Sequence, residues 1–103
     1  MKDILWRISY LNYIDDKDVK SRTLKLAEEC GEVAEAVLAL QGDIDKELDA
    51  DDVVEECADV IINALSIIML VSDVDANFIR NTIMRKYWKW ENGIKEHKEM
   101  KGK

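Results

Sequence analysis

No proline occurs anywhere in this chain of 103 residues, so no residue in it is barred from the interior of a helix. Only four glycines are present, Gly31, Gly42, Gly93 and Gly102, and a protein of many short strands needs far more turn chemistry than that. The expected fold is therefore all-α. The length suits one domain, taken as residues 1–103, with a single modest core. Hydrophobic residues make up 48% of the chain, which separates it from disordered acidic tails. Its net charge of −7 argues against a nucleic-acid partner, whose phosphates need a basic face.

Periodicity divides the chain into four helices. The first runs from about Asp3 to Ile14, with Ile4, Ile8 and Leu11 at helical spacing. The second runs from about Val19 to Gln41, with Gly42 as its stop and a core stripe of Leu26, Cys30, Val33, Val37 and Leu40. An acidic connection, 43–52, lacks the glycine and the closing glutamate of a calcium-binding EF-hand loop and reads as a solvated loop. The third helix runs from near Asp51 to near Ser72. A fourth is expected from about Asp75 to Asn92, ended by Gly93, with a frayed lysine-rich tail from Ile94 onward. Cys30 and Cys57 fit no metal or redox spacing and are expected as small buried thiols.

Between Cys57 and Val71 the only polar residues are Asp59, Asn63 and Ser66. A helix apolar almost all round is buried on most sides, whereas a lone bundle of four short helices leaves one side of each helix in water. A four-helix bundle-like protomer assembling into a homo-oligomer, dimer or tetramer, is expected. The same stretch falls short of the roughly 20 apolar residues of a membrane crossing, and the first 15 residues lack a signal peptide's apolar run. A cytoplasmic protein without membrane contacts is expected.

On so apolar a helix the acidic positions need a reason. At about 100° per residue, Glu56, Asp59 and Asn63 share an arc of about 60°. Glu29 and Glu32 repeat the i, i+3 pairing on the second helix, flanked by Glu28 and Glu35. Like charges at this spacing repel, and burying them is costly unless something neutralises them. Between Leu26 and Val71 the only basic residue is Lys46. An internal salt-bridge network is one way out; a divalent metal in a cage of Glu29, Glu32, Glu56 and Asp59 is the more economical one. The single histidine, His97, lies in the tail, which disfavours di-iron chemistry. All-oxygen ligands point to magnesium, with manganese as substitute. Charge is also uneven: residues 80–103 carry +5, leaving −12 for 1–79, so the C-terminal segment can supply cations beside an acidic site.

Glu28-Glu29-Cys30-Gly31-Glu32 followed by Glu56-Cys57-Ala58-Asp59 resembles the E-E-x-x-E … E-x-x-D signature of the MazG-like all-α nucleoside triphosphate pyrophosphohydrolases, relatives of the dimeric dUTPases, dCTP pyrophosphatases and phosphoribosyl-ATP pyrophosphohydrolases. The likeness covers roughly residues 20–90. It implies magnesium-dependent hydrolysis of a nucleoside triphosphate to the monophosphate and pyrophosphate, as in clearing the nucleotide pool. Glu29, Glu32, Glu56 and Asp59 would be the metal ligands, and Glu28 would orient the attacking water. Lys25, Arg85 or Lys86 would reach a phosphate. Asn63 would meet sugar or base, and Trp6 or Trp88 would stack on the base unless spent on core packing. Gly31 would allow close approach of a neighbouring helix. The competing reading is a helical interaction or nucleotide-sensing module whose acidic cluster binds a cation without catalysis.

Overall fold

A computed structural model describes residues 2–16 and 18–102. Among them are four α-helices and no strand: α1 (Lys2–Ile14), α2 (Val19–Leu40), α3 (Ala50–Val71) and α4 (Ala76–Lys101). They fall into two compact units, one ending at Asp73 and one beginning at Val74. No single helix among the described residues is long and apolar enough to cross a membrane.

Aspartates set the helix starts. Asp18 caps α2 by accepting the Ser21 N–H at 2.8 Å, and Asp75 caps α4 by accepting that of Phe78 at 2.8 Å. At α3, Asp49 and Asp52 form a reciprocal capping box, each side chain accepting the other's backbone N–H, at 3.1 and 2.8 Å. Gly42 lies past the end of α2 with φ +80°, the left-handed conformation expected of a residue that stops a helix.

In the first unit α2 and α1 both pack against α3. The side chain of Asn12 joins α1 to α3, donating to the Ser66 carbonyl at 3.2 Å and accepting the Ser66 hydroxyl at 2.5 Å. Arg22 Nη2 reaches Asp15 Oδ2 at 2.6 Å and ties the α1–α2 connection to the first turn of α2.

Several expectations need correction. The buried side of α2 is Glu29, Ala36 and Ala39, edged by Leu26, Glu32 and Val33, while Cys30, Val37 and Leu40 are exposed. Small alanines allow two helices to pack closely, so α2 turns them inward and leaves its bulkier stripe outside. Cys57 is half-buried and Cys30 exposed, so neither is a fully buried thiol. Gly31 meets no neighbour: a Cβ there would touch nothing within 4 Å. Helix α4 does not end at Gly93 but runs to Lys101. One glycine costs a helix only about 1 kcal/mol, and the Glu91–Lys95 pair at 2.9 Å spans it. Trp6 and Trp88 are both exposed, so core packing claims neither.

Helix α3 keeps an uncovered side in the single chain. Val54, Ile61 and Ile62 are exposed there, as are Val37 and Leu38 on α2. An apolar groove between the two helices is lined by Cys30, Val33, Cys57, Val60 and Ile61.

Candidate metal centre

The α2–α3 hairpin brings the acidic pairs together. Glu29, Glu32 and Glu56 each place one carboxylate oxygen within 4.8 Å of the others. Oxygens on opposite sides of a hard cation sit about 4–5 Å apart, given metal–oxygen distances of about 2.0–2.6 Å. Glu29 is only 4% exposed, and Glu32 and Glu56 are half-buried. Glu29 Oε2 and Glu56 Oε2 are buried and have no hydrogen-bond partner among the described residues. Anionic oxygens stranded in this way are expensive. A donor set of three carboxylates, two with orphaned buried oxygens, suits a hard divalent cation.

The electrostatics follow from the crowding. The Glu32 carboxyl is pushed up to about 7, first by its hydrogen bond with Glu56, then by burial and by the charges of Glu29 and Glu56. Glu29 moves the other way, below the ordinary carboxylate value, because the Lys25 ammonium bonded to it outweighs its burial. Lys25 Nζ stands 3.0 Å from Glu29 Oε1 and 3.6 Å from Glu28 Oε1, and these contacts raise the lysine in turn, the Glu29 bond most. One cation therefore does come from α2 itself, from just before the stretch in which Lys46 is the only basic residue. The lysine at i reaches forward one turn to the glutamate at i+4. Lys46, the loop cation, pairs instead with Glu35.

The other expected site residues are placed less uniformly. Asp59 is exposed, one turn after Glu56, and close enough to Glu29 to help lower its carboxyl. Glu28 is exposed beside Lys25. Asn63 is buried, and its amide nitrogen donates to the Asp59 carbonyl at 2.9 Å. Trp6, 70% exposed, stacks on Tyr10 with ring centroids 6.3 Å apart. Arg85 and Lys86 are exposed on α4, in the second unit. Sequence reasoning does not single out Arg22, which lies near the cluster on the Glu29 face of α2. Its Nε is buried without a partner among the described residues, and its position seven residues before Glu29, on the same helix face, is the signal that could have drawn notice to it.

No curated protein and no solved structure matches the chain. A family model, the MazG nucleotide pyrophosphohydrolase domain, matches residues 17–92, which include both acidic pairs. The chain belongs to the MazG nucleotide pyrophosphohydrolase family.

Proposed function

We propose that the chain is a magnesium-dependent nucleoside triphosphate pyrophosphohydrolase, releasing pyrophosphate and a nucleoside monophosphate, with manganese as a substitute metal. The family supports nucleotide pyrophosphohydrolase activity in general. The observation that carries the finer reading is the cluster of Glu29, Glu32 and Glu56 with its two orphaned buried oxygens.

Glu29, Glu32 and Glu56 would hold the cation, with Asp59 closing the cage from the exposed side. When bound, the cation supplies charge neutralisation for the phosphate oxygens and acidifies the attacking water. The carboxylates do no covalent work; they fix where positive charge sits before the phosphates arrive. Glu28, exposed one position before Glu29, accepts a hydrogen bond from the water and orients it. Lys25 pairs with phosphate oxygens in the first unit; Arg85 and Lys86, in the second, are candidate phosphate contacts on their charge alone. Asn63 and Trp6 meet the sugar or the base.

The same reading takes the working form to be a homo-oligomer, dimer or tetramer. The exposed Val37, Leu38, Val54, Ile61 and Ile62, together with the apolar groove between α2 and α3, support this reading, because large exposed apolar side chains are what a second chain would cover. The family match runs across both compact units, which favours a chain that works as one domain. The same reading takes the chain to act on the nucleotide pool of the cytoplasm, with neither a membrane nor a nucleic acid as partner.

The test is pyrophosphate release from a panel of ribo-, deoxyribo- and modified nucleoside triphosphates, with magnesium and with a chelator. Release from at least one nucleotide, stopped by the chelator, is expected. Binding of nucleotide with no release from any member of the panel would overturn the enzyme in favour of a sensing module.

A further inference from the structure

Arg22, Lys25 and Glu29 succeed one another along one face of α2, each about a turn from the next. The first two line, with Ser21, Leu24 and Glu28, a recess of about 280 Å³ next to the carboxylate cluster. Two details of this recess are not accounted for by a metal centre alone. Lys25 Nζ is 3.0 Å from Glu29 Oε1, a carboxylate that the metal reading assigns to a divalent cation. Arg22 is anchored at Nη2 by Asp15 at 2.6 Å, yet its Nε is buried and has no hydrogen-bond partner among the described residues.

A lysine ammonium and a divalent ion compete for the same carboxylate, and at a few ångströms they repel each other. Lys25 is half exposed on a flexible four-carbon stem, so it can leave where Glu29, buried, cannot. The recess offers it a destination. Glu28 remains there as a weaker partner at 3.6 Å, and the guanidinium of Arg22 is already oriented by Asp15, so an arriving anion meets a prepared donor.

We propose that Lys25 is an exchangeable cation: it neutralises Glu29 in the metal-free protein, is displaced when a divalent ion enters the carboxylate cluster, and then joins Arg22 in the recess to hold an oxygen of a polyphosphate chain. The proposal rests on the reading of Glu29, Glu32 and Glu56 as a divalent centre. It makes metal the first ligand and anion the second, and it couples the two, because the metal frees the lysine that the anion needs.

Manganese binding by calorimetry, without nucleotide, tests the exchange directly. Lys25→Gln should bind Mn2+ about threefold tighter than the unaltered chain, the scale of one competing ion pair. Lys25→Arg, which keeps a competing cation, should bind it as the unaltered chain does. The manganese–pyrophosphate complex then probes the recess. Lys25→Gln and Arg22→Gln should each weaken its binding about tenfold, the scale of a charge-assisted hydrogen bond, and Arg22→Gln should leave Mn2+ binding unchanged. Leu24→Glu adds a negative charge to the recess without touching the Asp15 anchor, and should weaken pyrophosphate binding even if Arg22→Gln proves to be unfolded. Mn2+ affinity in Lys25→Gln equal to or lower than that of the unaltered chain overturns the exchange alone. Undiminished pyrophosphate binding in Leu24→Glu overturns the recess. No Mn2+ uptake by the unaltered chain overturns the metal centre, and the exchange with it.

Discussion

Glu32 concentrates the chemistry of the site in one side chain. Its folded carboxyl titrates near 7, against an ordinary 4.5, so between those values the folded protein holds a proton that the unfolded chain has released. Stability from this group is therefore full below about 4.5 and is lost as pH rises through about 7. Glu29, shifted downward, stays charged across that window. Thermal melts in chelator should show a higher Tm at pH 5.5 than at pH 7.5, and a flat or reversed trend would count against the crowding. Millimolar magnesium should raise Tm at pH 7.5, because an ion held by the folded cluster and not by the unfolded chain stabilises the fold. Replacing Glu32 by glutamine removes one repulsion and should lift the Tm of the metal-free protein by about 2 °C, while pyrophosphate release disappears. Unfolding, or retained activity, would mean that Glu32 serves a different purpose. Glu29, Glu32 and Glu56 are legible from spacing alone, because paired i, i+3 carboxylates on apolar helices repel and must be neutralised by something. The Lys25–Glu29 contact is harder to see, because Lys25 lies one residue outside the stretch from Leu26 to Val71 in which Lys46 is the only basic residue.

At the scale of elements, helix starts and types are legible and one end is not. Asp18, Asp49 and Asp75 each stand immediately before a helical pattern, and each caps a helix. Gly42 and Gly93 look alike in sequence, yet only Gly42 ends its helix. The two differ in their surroundings. An acidic loop comes after Gly42, whereas an i, i+4 glutamate–lysine pair and further helix formers surround Gly93. A Cβ at Gly93 would meet nothing within 4 Å, so Gly93→Ala should stabilise α4 by about 1 kcal/mol, seen as added helicity and slower amide exchange in the helical turns around it. Gly42→Ala should do the opposite, because φ +80° strains an alanine. The inward stripe of α2 is not legible from hydrophobicity, which ranks valine and leucine above alanine, whereas close helix packing favours the smaller residue.

The whole molecule has more apolar surface than one chain hides. Buried hydrophobic residues among those described are Leu5, Ile8, Ala36, Ala39, Leu65 and Ile79, while Ile61 and Ile62 stay in water. Ile61→Asp should convert an oligomer to monomer in sedimentation velocity, and a chain already monomeric at micromolar concentration would remove the oligomer from the account. Gly31 offers an independent probe of the same surface. Alone in water, Gly31→Ala stabilises a helix by about 1 kcal/mol; under a second chain packed against it, the added methyl group would destabilise. The carboxylates of the cluster all come from one antiparallel helical hairpin, with Glu32 and Glu56 separated by 24 positions in sequence. Contacts this local form early and fast, so the negative charges meet while the rest of the chain is still assembling. Divalent ions in a refolding buffer should then speed folding as well as slow unfolding, which makes the cofactor a participant in the protein's biogenesis.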